Sequence, residues 1–322
     1  MLWDPGTLQS RTITRTITIG VRTFSLREID TLPVAVDIRG EIMRNDLNNT
    51  VAVVTGAGRG IGREIALYQA RNGAKVAVLA RTASDLDETG SLIDKEGGVA
   101  VSFPVDLVDR HAVEQVLDRV ASELGPIDLL VNNHGSFRAF GPIWECDPEI
   151  WWQDVEINLR GTFNTCRLVG PAMLARGKGR IVNLVGGGTG NSFPNGSGYA
   201  SSKAAIMRFT ECLNDTTTDR GVLAFAVDPG LVRTSMTELQ LYSDAGKTYL
   251  PGIQELFENG VNIPPSRAAA LITDIAAGRF DPLAGRLLRG VDDRDLLEQE
   301  MKQIVAHDAR ALRFSSVEQA KL

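Results

Sequence analysis

The sequence predicts an α/β fold: a doubly wound parallel sheet in three layers, forming a single domain. Three observations point to it. Short apolar runs of strand length alternate with segments of helix length from residue 50 onward. The connections between them are short, as parallel strands with covering helices require. A glycine-rich turn joins the first run to the first helix.

The elements follow in order. Residues 51–54, Val-Ala-Val-Val, read as a strand buried on both faces. A helix is expected over about 62–69, closed by Asn72 and Gly73. Residues 76–79 form the second strand, 84–95 a helix ended by Gly97 and Gly98, and 99–105 the third strand. A helix over 110–122 leads to a strand over 127–131, and a long helix carries Trp151, Trp152 and Asn158. Then come a strand over 181–185, a helix over 199–213, a strand over 223–227, a helix over 267–277 and a last strand over 283–288. Residues 233–265, with Pro251, Gly252, Gly260, Pro264 and Pro265, read as a long irregular loop over the site. This gives an extension at 1–46, a core domain at 47–290 and a charged tail at 291–322.

Within the extension, Ile17 and Ile19 stand at strand period with Ile13, which suggests an extra hairpin. An arginine-rich, acid-poor leader also fits a transit peptide, and Met43 fits a later start; the hairpin and the later start are preferred. Lys and Arg number 34 against 40 Asp and Glu, a net charge of −6, which disfavours a nucleic-acid surface or a polybasic membrane anchor. Cys146, Cys166 and Cys212 are too scattered for a disulfide framework or a metal knuckle, so no metal is expected and a cytoplasmic location fits.

The turn Thr55-Gly-Ala-Gly-Arg-Gly-Ile-Gly62 sits between strand and helix. Glycines let a diphosphate approach the backbone, and the helix N-terminus offers free N–H groups. Gly56, Arg59, Gly60, Ile61 and Gly62 are therefore expected to bind a dinucleotide. An acid about 20 residues past the glycines would favour a free ribose 2′-hydroxyl, but Ala80 and Arg81 stand there. Arg59 and Arg81 suit a 2′-phosphate, hence NADP (NADPH), although either alone reads equally well as a solvated surface residue.

Tyr199 and Lys203, four apart, share a helix face. A lysine beside a phenol, aided by an oxidised nicotinamide, lowers its pKa and lets it exchange a proton with a carbonyl/alcohol pair. These features, in this order along residues 47–289, resemble the short-chain dehydrogenase/reductase family, whose fold is of the Rossmann type. The resemblance implies adenine contacts at Asp106 and Leu107 and cofactor contacts at Asn133, Tyr199 and Lys203. It further implies carboxamide contacts along Pro229, Gly230, Val232 and Thr234, and a proton relay through Asn158 to Lys203. It implies a small carbonyl or alcohol substrate and a homodimer or homotetramer.

One departure from that pattern bears on activity. The family places a serine 12 to 14 residues before the tyrosine, and here those positions hold Gly187, Gly186 and Val185. Val185, Thr189 and His134 become candidate substrate contacts, with His134 more readily read as a packing variant. Ser197 is expected to cap the tyrosine helix. The missing serine leaves open a weakly active or non-catalytic dinucleotide-binding regulatory protein. A reductase of carrier-bound 3-oxoacyl chains is disfavoured, because Arg233 and Lys247 are isolated in the loop.

Overall fold

The computed structural model describes residues 47–314 and four short strands before them. In the N-terminal unit β1 (Thr16–Ile19) pairs antiparallel with β2 (Arg22–Ser25), and β3 (Ala35–Val36) with β4 (Ile42–Met43). Ile17 and Ile19 lie in β1, and Ile13 lies outside the described residues.

The second unit carries a seven-stranded parallel sheet. Its strands are β5 (Val51–Thr55), β6 (Lys75–Ala80), β7 (Val99–Pro104), β8 (Leu129–Asn132), β9 (Gly179–Leu184), β10 (Val222–Asp228) and β11 (Leu287–Arg289). Their order is β11-β10-β9-β8-β5-β6-β7. The winding reverses between β5 and β8, the position at whose carboxyl ends sheets of this kind bind ligands.

Helices cover both faces. On one lie α1 (Gly60–Arg71), α2 (Ala83–Lys95), α10 (Ser266–Ala276) and α11 (Arg294–Ala306). On the other lie α3 (Arg110–Glu123), α5 (Gly161–Arg176) and α6 (Ser197–Thr217). Strand β5 is buried along its whole length, as its unbroken apolar run requires. Within the segment expected as a charged tail, Leu297 and Ile304 of α11 are buried in the main core.

Several expectations change. The long helix around Asn158 is α4 (Pro148–Val155), a widened π turn (Glu156–Arg160) and α5. The last strand is shorter than expected, because Asp281–Leu283 forms a 3₁₀ turn before it. The supposed irregular loop contains three short helices: α7 (Ser235–Tyr242), α8 (Asp244–Tyr249) and α9 (Pro251–Glu258). Pro251 occupies the first turn of α9, where its missing N–H costs nothing. A reciprocal capping box between Thr234 and Thr237 starts α7.

Candidate active site

The glycine turn lies at the reversal point of the sheet, between β5 and α1. Gly56 and Gly60 have φ of +62° and +56°, a region that side chains disfavour. A Cβ at Gly62 would collide with the carbonyl of Gly56, so the turn closes this tightly only with glycine there. Asn133 ties the turn down from the next strand: its Nδ2 donates to the carbonyls of Thr55 (2.9 Å) and Gly56 (3.3 Å). Helix α1 begins without a side-chain cap at Arg59, and no acid occupies its first turn. That tight backbone cradle and uncapped N-terminus fit a diphosphate.

Arg59 and Arg81 are both exposed near this turn. Asp106 is exposed after β7, and its carboxylate accepts the Val108 N–H at 3.0 Å; Leu107 beside it is buried. On the opposite side, Thr234 reaches the turn, its Cγ2 3.4 Å from where a Gly60 Cβ would stand. Pro229 and Val232 are buried, and Gly230 takes φ +79°. Asn133 and Thr234 thus border the glycine turn, and Arg81, Asp106, Leu107 and Pro229 follow the carboxyl ends of β6, β7 and β10.

Three chemically distinct side chains converge beyond β9. Lys203 is buried, and its Nζ donates to the Leu184 carbonyl at 2.9 Å. It lies 5.6 Å from the centre of the Tyr199 ring. Asn158, fully buried in the π turn, accepts the Ser136 N–H at 2.7 Å and donates to the Ser136 carbonyl at 3.0 Å and the Ser202 hydroxyl at 2.9 Å. Burial, and then the negative charge of Asp228, push the Tyr199 phenol well above its ordinary range. Burial pulls Lys203 down to about 8, with Asp228 opposing. The lowering expected with an oxidised nicotinamide beside the phenol concerns the cofactor-bound state; in the chain alone loss of solvation sets the direction. A protonated tyrosine is the form that can deliver a proton.

The substrate-contact expectations separate. Val185 points away from the phenol into a core cluster with Ile206, Met207 and Ala226, so it is not placed to touch substrate. Gly186 is the neighbour of the phenol: a Cβ there would lie 2.5 Å from the Tyr199 hydroxyl oxygen. The hydroxyl fills the space that a side chain at 186 would claim. Thr189 folds back, but onto the loop itself, its Oγ1 donating to the Gly186 carbonyl at 2.6 Å and accepting the Gly186 N–H at 3.2 Å. His134 packs between Thr55 and Gly161, with Nδ1 2.8 Å from the Thr55 hydroxyl and Nε2 against the space above Gly161. Burial and the charge of Lys203 hold its imidazole down to about 3, so it is neutral near pH 7. Ser197 does not cap α6: Gly196 holds that position, and the serine hydroxyl accepts Trp151 Nε1–H at 3.0 Å.

The residues the sequence did not single out form the roof. Phe137 stacks on Tyr199 with centroids 4.6 Å apart and planes 16° from parallel. Phe140, Phe193, Met236, Tyr249 and Leu250 pack around this pair. The lid is fastened by Tyr249, whose hydroxyl donates to Glu145 at 2.6 Å and whose carbonyl accepts Asn195 Nδ2–H at 3.0 Å. The spacing Phe137-x-x-Phe140, just after the fourth strand, was the available signal for an aromatic wall.

Comparison with known proteins supplies the family. The short chain dehydrogenase profile matches residues 50–242. The chain belongs to the short-chain dehydrogenase/reductase family. It is 33% identical over 232 residues to the 2,3-dihydro-2,3-dihydroxybenzoate dehydrogenase of Bacillus subtilis, covering 71% of this chain and 87% of that one. It is 37% identical to a short chain dehydrogenase of Pseudocercospora fijiensis, covering 61% of this chain and 64% of that relative's length. Among solved structures, an actinorhodin polyketide ketoreductase with NADPH superposes with a TM-score of 0.68, with 30% identity over 76% of this chain and 96% of its own. The family comprises NAD(P)-dependent oxidoreductases. Among the described residues of this member, no helix is long and apolar enough to cross a membrane.

Proposed function

We propose that the protein is an NADPH-dependent reductase of neutral, ring-bearing carbonyl compounds. The observation that carries the reading is the convergence of Tyr199, Lys203 and Asn158 beside a dinucleotide turn and beneath an aromatic roof. Bound NADPH supplies the hydride that reduces the carbonyl carbon. The chain supplies the rest. Tyr199, held protonated by its surroundings, donates its proton to the carbonyl oxygen, so ketone, hydride and proton give the alcohol. Lys203, still charged below about pH 8, stabilises the phenolate left behind. Asn158 and Lys203 carry the relay that replaces the phenol's proton. The Gly186 loop and the stacked Phe137 fix where the hydroxyl points.

Two features support the finer parts. Arg59 and Arg81 lie exposed beside the turn, with neither drawn into an ion pair among the described residues, which suits a 2′-phosphate. The roof is aromatic and aliphatic, and the cations flanking it are engaged. Arg138 binds Gln153 and Asp154, while Arg233 binds the Tyr242 hydroxyl and lies over the Phe257 ring. A carboxylate substrate would find no ready partner there, whereas an aromatic ring gains about 0.5–1.5 kcal/mol per good ring contact beyond area burial.

The test is cofactor oxidation with a panel of neutral bicyclic ketones and of keto acids. Turnover favouring the neutral ketones supports the reading. Preference for keto acids refutes the substrate class while keeping the reductase. Tight NADPH binding without turnover on any carbonyl favours the rival regulatory role that the missing serine suggests. Titration of NADPH and NADH against wild type, Arg59→Ala and Arg81→Ala tests the cofactor: equal affinities in wild type would refute the phosphate assignment. A homodimer or homotetramer belongs to the same proposal.

A further inference from the structure

We infer that Asp154 is a positioning residue for the proton-transfer machinery, holding the loop that orients both Asn158 and Tyr199. The inference rests on the assignment of Asn158 and Tyr199 to the site. Asp154 has no solvent exposure, yet no function described so far uses it. It stands at the end of α4, one helical turn before Asn158.

Its carboxylate is fully committed to a single short loop. One oxygen accepts the backbone N–H groups of Arg138 (2.7 Å) and Ala139 (2.9 Å). The other accepts the Ser136 hydroxyl at 2.6 Å and lies 3.5 Å from the Arg138 guanidinium. Arg138 Nε in turn donates to the Ser136 hydroxyl at 3.1 Å. Three hydrogen-bond donors and a neighbouring guanidinium satisfy the buried charge and immobilise residues 136–139.

That loop has two working faces. The backbone of Ser136 grips the Asn158 amide from both ends, through its N–H and its carbonyl. Phe137, the next residue, covers the Tyr199 ring. A backbone shift near Ser136 therefore moves the relay amide and the phenol together. Neutral apolar side chains at 136 and 154 would fill the space without fixing the loop's height above α6. A buried carboxylate costs several kcal/mol of solvation unless such donors surround it, so the arrangement is specific rather than incidental.

The test compares Asp154→Val, close in volume but unable to accept a hydrogen bond, with Asp154→Asn, which retains one acceptor oxygen for the two amides. Amide hydrogen exchange, NADPH affinity and the kinetics of ketone reduction with NADPH and with its 4-deuterated form are measured in the full chain. Asp154→Val is expected to speed exchange at Arg138 and Ala139 while NADPH affinity stays within about twofold. Its kcat is expected to fall about tenfold or more, with an increased deuterium isotope effect, since misplacing reacting groups slows chemistry itself. Asp154→Asn is expected to recover part of kcat. Unchanged exchange at Arg138 and Ala139 in Asp154→Val overturns the inference, whether or not any ketone turns over. So does a fall in kcat matched by lost NADPH-binding sites at an unchanged isotope effect, which is the mark of simple unfolding. Wild-type protein that binds NADPH but reduces nothing counts against the proposed reductase, and the exchange measurement then still decides whether Asp154 holds the loop.

Discussion

His134 gives the protein a calculable sensitivity to acid. Its imidazole is buried against Thr55 and Gly161, with Nδ1 2.8 Å from the Thr55 hydroxyl, and its pKa is held at about 3 against an ordinary 6.5. Desolvation is the main cause, and the positive charge of Lys203 adds to it. Above pH 6.5 the side chain is neutral in both folded and unfolded chains and costs nothing. As pH falls below 6.5 the unfolded chain takes up a proton that the folded chain refuses, so stability drops, and the loss levels off only near pH 3. At about pH 5 the difference between the two titrations amounts to about 2 kcal/mol, a large part of an ordinary domain's net stability.

His134→Ala should remove this slope. The variant also loses packing and one partner of Thr55, a cost present at every pH, so the informative quantity is the change in unfolding free energy between about pH 7 and pH 5. Urea denaturation at both pH values, for both proteins, gives it directly. Wild type should lose about 2 kcal/mol more than the variant on acidification, the other titrating groups cancelling in the comparison. Parallel losses would refute the reasoning and show that the folded chain accepts a proton on this imidazole near its ordinary pKa.

The other predictions concern the phenol and its surroundings. Tyr199→Phe should lower kcat by about 10²–10⁴-fold with NADPH affinity unchanged, measured by single-turnover reduction and cofactor titration; an active variant would place proton transfer elsewhere. Gly186→Ala should displace the Tyr199 hydroxyl, because its Cβ would fall 2.5 Å from that oxygen, and a turnover equal to wild type would show that the phenol moves freely. Val185→Ser should not supply the missing donor: it buries a hydroxyl among Ile206, Met207 and Ala226 and should cost about 2–3 kcal/mol in denaturant unfolding without raising kcat.

What was legible in the chain was chemistry concentrated in short local stretches. The run from Thr55 to Gly62 states its own geometry, since only glycine tolerates the positive φ at Gly56 and Gly60 and the contact above Gly62. Tyr199 and Lys203 share a helix face by spacing alone. Val51–Thr55 announces a doubly covered strand by having no polar alternation. The lid was misread for an equally local reason. Pro251, Gly252 and Gly260 look like helix breakers, yet Pro251 opens α9 and Gly260 follows its end, positions where these residues suit a helix. Composition could not distinguish three short helices from one loop.

The missed parts all depend on contacts between segments distant in sequence. Whether Val185 or Gly186 faces Tyr199 turns on a one-residue phase at the end of β9, and the answer was set by Ile206, Met207 and Ala226 claiming Val185 for the core. Ser197 carries a good capping side chain, but Trp151, 46 residues away, engages its hydroxyl. The phenol stands above its ordinary range in the chain alone because it is buried beneath a roof assembled from Phe137, Phe193 and the lid helices, with the charge of Asp228 adding to the effect. In the chain alone burial keeps the phenol in its protonated form, which is the form that gives up a proton in the proposed reduction. The same close packing that hid the residue's environment from sequence reasoning leaves no room for a serine side chain at position 186, whose space the Tyr199 hydroxyl already fills.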